Sequence, residues 1–426
     1  MDYTKRLKSH HEVTKSLEYI FISNEDKKKY VTKLLTEKPN RPRSIYIHVP
    51  YCRKICSFCN MNTGYVDESI KDYHKLIIES IKAISKYPYI QGKDFDSVYF
   101  GGGTPTILSH RQIDEILKTI HEYLPISKQA EISMETSISE LTEDKLYVMK
   151  ENGVNRFSIG IQSFVDNTRG IFNRIGDGQR AVKKIEEIMD MGFENTNIDL
   201  IYNYPEQSMD ELNYDLDIIK SLDIAGISMY SLILHEKSLL QSQIKEGIIP
   251  NIPDISMERE LFGTIYGELM KDKFKVLELT KMVKENRDEY RYIKINNRGG
   301  DCLALGIGAG GKLGNYKYFN MTTKHMIDRN SAPISFMGKI VTDEYEKIDR
   351  IIGEMQFGKI DFKEIQDATN FNFQDKCSDF IGGLRAENLV NLNENGFVLN
   401  EDGVFWGNNI CRELTMNLIE IFKEKY

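Results

Sequence analysis

From residue 44 onward the chain alternates two hydrophobic patterns. Short runs rich in β-branched and aromatic residues, "SIYIHV", "SVYF", "EISM", "RFSIGI", "TNIDLI" and "GISMYSLI", read as strands. Between them, residues 68–86, 110–122, 143–151, 179–191 and 208–221 repeat their apolar positions with helical period. The alternation predicts an α/β protein of six βα units around a parallel sheet, open or closed into a barrel. Its functional residues are then expected at the C-terminal ends of the strands.

After about residue 240 the pattern changes. A helical stretch near 256–272 precedes "GGDCLALGIGAGGKLGNYKYF", and a polar helical region from about 340 leads to "LVNLNENGFVLNEDGVFW". Asn-Gly and Asp-Gly turn signals in the latter predict a hairpin, followed by an amphipathic helix as in a small winged-helix-like module. The chain thus divides into an N-terminal helical and basic arm (1–43), a partial barrel (44–240), a barrel-closing segment with the Gly-rich loop (241–335) and a C-terminal winged-helix-like domain (336–426).

With 41% hydrophobic and 28% charged residues, the 426-residue chain has the composition of a soluble globular protein. No apolar run approaches the roughly 20 residues of a membrane span, and the N-terminus lacks the apolar core of a secretory signal, so a cytoplasmic location is expected. A net charge of −8 argues against nucleic acid as a partner. Residues 1–43 are locally basic, with 11 Lys/Arg against 6 Asp/Glu. They read as a solvated arm, with contact to an acidic partner as the alternative.

Six cysteines in such a chain suggest metal or redox chemistry rather than a disulfide framework. Three of them, Cys52, Cys56 and Cys59, crowd into "YIHVPYCRKICSFCN" directly after the first strand. Thiolates suit iron–sulfur clusters or zinc. A four-iron cluster normally takes four thiolates, so three leave one iron open for chemistry. The alternative is a structural zinc with His48 as fourth ligand. Against it stand the missing second C-x2-C pair and the position of His48 on the strand itself.

"YIHVPYCRKICSFC" resembles the cluster loop of the radical S-adenosylmethionine (SAM) superfamily, in its coproporphyrinogen dehydrogenase-like branch, and the resemblance runs from about residue 44 to 426. It implies a partial (β/α)6 barrel and a [4Fe–4S] cluster held by Cys52, Cys56 and Cys59. The open iron would be chelated by SAM, which one electron from the cluster cleaves to a 5′-deoxyadenosyl radical. Tyr46 joins the cofactor-binding set, and Phe58 lies beside the cluster as packing.

The remaining motifs follow later strands. In "VYFGGGTPT" consecutive glycines let the backbone approach a ligand closely; by resemblance Gly102, Gly103 and Thr104 meet the methionine end of SAM. "EISMETS" places the carboxylate of Glu135 at a strand end, "RFSIGIQSF" offers Gln162, "FNRIG" offers Arg174 as a carboxylate fork, and "NIDLIY" offers Asp199. The resemblance assigns Arg174 to the SAM carboxylate and Asp199 to its ribose. In the second glycine cluster, Gly306, Gly308 and Gly311 satisfy G-x-G-x-x-G, but strand-like "YKYF" follows where a helix should start. Leu313 likewise stands where a P-loop needs Ser or Thr. By resemblance this segment closes over the substrate side, with Gly308 and Gly310 in the cofactor-binding set, while Cys302 reads as a buried apolar residue.

Within the branch, coproporphyrinogen dehydrogenases carry a fourth cysteine where this chain has Met61. Heme chaperones carry His-Asn-x-x-Tyr-Trp where it has "NRDEYRYIKINNRGGDC". The pieces "CSFCNMN" and "GGDCLALGIGAGGKLGNY" look most like the anaerobic heme-degrading methyltransferases, the anaerobilin synthases. That likeness implies two SAM molecules, radical methyl transfer to a heme meso carbon, and release of iron and a linear tetrapyrrole. A flavodoxin or ferredoxin would supply the low-potential electron. Heme chaperone, oxygen-independent coproporphyrinogen III dehydrogenase and radical methyltransferase on a natural product stand as alternatives. His235 and His325 are candidate iron ligands, although a lone histidine is more often a surface residue. Tyr230, at a strand end, is the candidate hydrogen-atom or proton donor.

Overall fold

The computed structural model describes residues 4–14, 17–321 and 334–423; His325 lies outside them. All six expected strands form: β1 (Arg43–Val49), β2 (Phe95–Gly102), β3 (Ile126–Thr136), β4 (Arg156–Gln162), β5 (Asn195–Tyr202) and β6 (Gly226–Ser231). Each pairs in parallel with the next. The expected helices alternate with them, and the ones at His110–Tyr123 and Met209–Ser221 each begin with a capping box that satisfies otherwise unpaired backbone N–H groups.

The strands alternate apolar and polar positions with period two. Ile45, Ile47, Val98, Phe100, Ile159, Ile198 and Ile227 are almost fully buried against the helices, each contributing about 1.5–3 kcal/mol. The opposite face is polar. The register aligns Tyr46 with Tyr99, Glu135 with Ser158, and Asp199 with Ser228. A closed eight-stranded barrel fills this space with branched apolar side chains; here the inner face encloses a hydrophilic lumen instead.

The sheet extends beyond the sequence expectation. β7 (Phe274–Glu278) and β8 (Lys281–Lys284) add an antiparallel hairpin beside β6, while β9 (Asp301–Leu305) pairs in parallel with the free edge of β1. β10 (Gly310–Leu313), β11 (Tyr316–Phe319) and β12 (Gly338–Ile340) continue outward from β9, giving a sheet of twelve strands among the described residues. The second glycine cluster is therefore largely strand and turn rather than one loop.

Toward the C-terminus, β13 (Lys359–Asp361), β14 (Val390–Asn393) and β15 (Gly396–Leu399) form a separate antiparallel sheet that contains the expected hairpin. Two helices follow it, Glu401–Phe405 and Gly407–Lys423, where one was expected. Among the described residues no helix is long and apolar enough to cross a membrane.

The N-terminal segment is not the solvated arm its charge suggested. Leu7, Val13, Leu17 and Phe21 are buried. The Arg6 guanidinium donates to the Phe405 carbonyl (2.6 Å), the Tyr202 hydroxyl (2.8 Å) and Glu258 Oε1 (2.5 Å), tying the segment to barrel and C-terminal helix together. Its basic residues serve a buried carboxylate inside the protein, a pairing that charge counting along the sequence does not reveal.

Candidate functional site

The cysteine loop is held in place by a second loop. Ser57 N donates to Phe172 O (3.2 Å), Ser57 Oγ to Ile171 O (2.7 Å), and Asn173 Nδ2 to Ile55 O (2.8 Å). Phe58 packs edge-on against Phe172 with ring centres 5.1 Å apart, which bears out its reading as packing. On the other side Arg53 forks the Glu140 carboxylate at 2.8 and 2.9 Å.

One cavity brings together most of the residues singled out from the sequence. Cys52, Cys56 and Cys59 line it with Gly102, Gly103, Thr104, Glu135, Gln162, Arg174 and Asp199. The glycines are required by close approach. Gly102 has φ +120°, and a Cβ at Gly103 would stand 2.9 Å from Cys52 Sγ and 2.6 Å from Tyr51 O. Burial raises the thiol pKa values of Cys52 and Cys59.

Arg174 and Gln162 carry the sign of a polar ligand. The Arg174 guanidinium lies 3.1 Å from Cys56 Sγ through Nη1 and donates to the Gly160 carbonyl through Nη2. Its Nε, and Oε1 of Gln162, are buried without a protein partner. Gln162 moreover adopts a left-handed φ of 67°, a conformation costing about 1–3 kcal/mol that persists where surroundings impose it. The unpaired Arg174 N–H suits an amino-acid carboxylate, and the unpaired Gln162 amide oxygen suits an ammonium group. Asp199 accepts from Ser158 Oγ at 3.3 Å and keeps acceptor capacity toward the cavity.

Glu135 accepts from Tyr99 Oη at 2.6 Å and Gly102 N at 3.3 Å. Burial, helped by the charge of Asp199, pushes its pKa up to about 7 against the opposing hydrogen bonds. Because the folded pKa lies above the unfolded one, the associated stability is fully present below the ordinary carboxylate range and is lost as pH rises through about 7. We expect Glu135→Gln to stabilise the cofactor-free chain by about 3 kcal/mol at pH 8 and to change it little at pH 4, in urea titrations. Equal effects at both pH values would refute this.

Other expected site residues lie outside the cavity. Tyr46 faces the lumen, stacked on Tyr292 at 5.8 Å. Gly308 packs against Asn62 and His48, and Gly310 is exposed at the start of β10. Tyr230 stands on the lumen wall, 44% exposed. His235 shares a hydrogen bond with Asn60 (3.1 Å), at the rim of the cysteine loop. His48 does not complete a zinc site: its Nε2 donates to Asn62 O (3.2 Å) and its Nδ1 meets the Tyr46 hydroxyl (2.9 Å).

The sequence reading missed Ser158, Ser137, Ser139 and Asn173, which also line the cavity. Ser158 is an ordinary serine inside a strand, and only its position on the polar face would have flagged it.

Residues 46–219 match the sequence profile of the Radical SAM superfamily. The chain carries a radical SAM domain. Over nearly its whole length this radical SAM protein is similar to two curated proteins. It is 26% identical to the heme chaperone HemW of Bacillus subtilis, over 86% of this chain and 98% of that one. It is 24% identical to the anaerobilin synthase of Escherichia coli O157:H7, over 90% and 87%. The solved coproporphyrinogen III oxidase of Escherichia coli, described as a radical SAM enzyme, superposes with a TM-score of 0.78 at 22% identity, covering 93% of this chain and 94% of that one. These similarities support the coproporphyrinogen dehydrogenase-like branch of the superfamily, and the superposition shows the α/β fold. Its cofactors are a [4Fe–4S] cluster and SAM, which the three thiols and the unpaired polar atoms of the cavity fit.

Proposed function

We propose that this radical SAM protein is an enzyme that opens heme anaerobically, by radical methyl transfer to a meso carbon, releasing iron and a linear tetrapyrrole. The observation that carries the reading is the composition of the cavity. Three thiols share it with an arginine and a glutamine that each bury one unpartnered polar atom, and Met61, not a fourth cysteine, lines its edge. The likeness to an anaerobilin synthase supports the same direction.

Cys52, Cys56 and Cys59 would hold the cluster. Arg174 would take the SAM carboxylate, Glu135 and the Gln162 amide oxygen its ammonium group, Asp199 the ribose, and the backbone of Gly102–Thr104 would lie along the methionine end. When bound, cluster and SAM supply a carbon-centred radical, and a second SAM supplies the methyl group. The chain's own work is orientation and the exclusion of water. Its three thiols must shed protons as iron binds, so cluster assembly is pH-dependent. A flavodoxin or ferredoxin is the proposed electron donor. Arg174→Ala is expected to weaken SAM binding at least tenfold with the cluster chromophore intact, as measured by equilibrium dialysis; unchanged affinity would withdraw Arg174 from the site.

A second reading rests on the likeness to the heme chaperone: the protein would bind heme and return it unaltered. Anaerobic incubation of the cluster-loaded protein with SAM, dithionite and heme, followed by absorbance and product mass, separates the two. Loss of the heme band with a methylated, iron-free linear tetrapyrrole supports the enzyme. A bound, intact heme supports the chaperone, and absence of heme binding refutes both.

A further inference from the structure

The lumen wall beside the cavity holds a carboxyl group that the functions assigned so far leave unused. Glu278 ends β7 directly opposite Lys281 of β8, and Lys281 is opposite Ser228 of β6. Side chains two residues apart share a strand face, so Tyr230 stands on the lumen face with Ser228, one step closer to the strand's C-terminal end. Asp199, aligned with Ser228 on β5, lines the cysteine cavity itself. The register therefore sets Glu278 level with Ser228 and Asp199 on one wall, with Tyr230 one step nearer the C-terminal strand ends that carry the cavity.

Glu278 has no hydrogen-bond or ion-pair partner among the described residues. The cation opposite it, Lys281, is already committed to Asp288 (3.3 Å) and Asn197 Oδ1 (2.7 Å), and Arg156 forks Asp288 as well. Phenols complete its surroundings, since the Glu278 charge acts on both Tyr230 and Tyr290. Tyr230, 44% exposed yet on an inner strand of the sheet, meets open space within the lumen. Burial pushes the Glu278 carboxyl up to about 7 despite Lys281, so it stays protonated into the neutral range.

Opening heme with loss of iron creates a demand for such a group. Two of the four nitrogens that hold the iron are formally anionic, so two protons must be taken up as the metal leaves. We propose that Glu278, through the Tyr230 hydroxyl, delivers protons from the lumen wall to the tetrapyrrole in the cavity. In each transfer the Glu278 O–H bond breaks and leaves its electron pair on the carboxylate. Tyr230 accepts that proton as it passes its own to a nitrogen lone pair, forming N–H. Lumen water reprotonates Glu278, and no oxidation or reduction is involved. The proposal rests on the heme-opening reading.

The test uses the full-length, cluster-loaded protein and the variants Glu278→Gln and Tyr230→Phe, with heme as substrate. Both are expected to lower the rate of iron release and linear tetrapyrrole formation at least tenfold, while heme affinity and 5′-deoxyadenosine formation stay within about twofold. The wild-type product rate should fall as pH rises through about 7, and Glu278→Gln should lose that limb. Independently, the infrared difference between cofactor-free wild type and Glu278→Gln should show a carboxylic C=O band that disappears through the same pH range. Wild-type product rates and pH profile in Glu278→Gln, or no such band, would overturn the proposal while leaving heme opening intact. An unaltered heme with wild-type protein would overturn the heme-opening reading, and the proton path with it.

Discussion

Cys52→Ala, Cys56→Ala and Cys59→Ala are each expected to abolish the iron–sulfur chromophore and, with it, SAM cleavage. The three thiols lie on one loop and face one cavity. Neither His48, whose ring nitrogens both have partners, nor Met61, a weak thioether ligand, is placed to substitute. Anaerobic reconstitution followed by absorbance and iron analysis measures the effect, with bound iron falling below about a tenth of wild type. A variant that retained a full cluster would remove that cysteine from the ligand set. Folding should survive, because the surrounding clamp runs through Ser57, Asn173 and Phe172 rather than through the thiols.

The second large effect is expected at the closed end of the lumen. Asp288 is fully buried, accepts two hydrogen bonds from Arg156 at 2.9 Å, lies 3.3 Å from Lys281 and takes the Tyr290 N–H at 2.9 Å. Arg156 also lies over the Tyr290 ring, 4.2 Å from its centre, and Tyr290 itself is held at φ 45°. The two cations hold the Asp288 carboxyl well below its usual range. Its contribution is therefore present above the ordinary aspartate pKa and is lost as pH falls toward the lowered one. Asp288→Ala leaves two buried cations without their carboxylate, at a cost of about 3–5 kcal/mol. Urea denaturation near neutral pH should show it as a lower midpoint with an unchanged slope. A loss under about 1 kcal/mol would mean that Glu131, whose charge also acts on Arg156, takes over the pairing.

Comparison of particular residues shows what was legible beforehand. The C-x3-C-x2-C loop, the triple glycine, Glu135, Gln162, Arg174 and Asp199 were marked in the sequence and meet in one cavity, because each sits in the C-terminal half of a strand or in the segment that connects it to the next main helix. Gly308 and Gly310 were marked by the same kind of signal and do not line the cavity: Gly308 packs against Asn62 and His48, and Gly310 opens β10, which pairs with β9 and β11. Arg6 and Lys8 read as surface charge and prove to be partners of the buried Glu258.

The sequence by itself determined the six βα units, the strand ends that carry the chemistry, and the crowding of three thiols on one loop, because hydrophobic period and motif spacing are local properties of the chain. Tertiary structure alone decided that the polar faces of the strands enclose a lumen. It also decided that Asp288 neutralises Arg156 from 132 residues away, and that Lys281, opposite Glu278, is bonded to Asp288 and Asn197 instead. Those outcomes depend on strand register and on which charges are buried together, and neither is encoded in any short stretch.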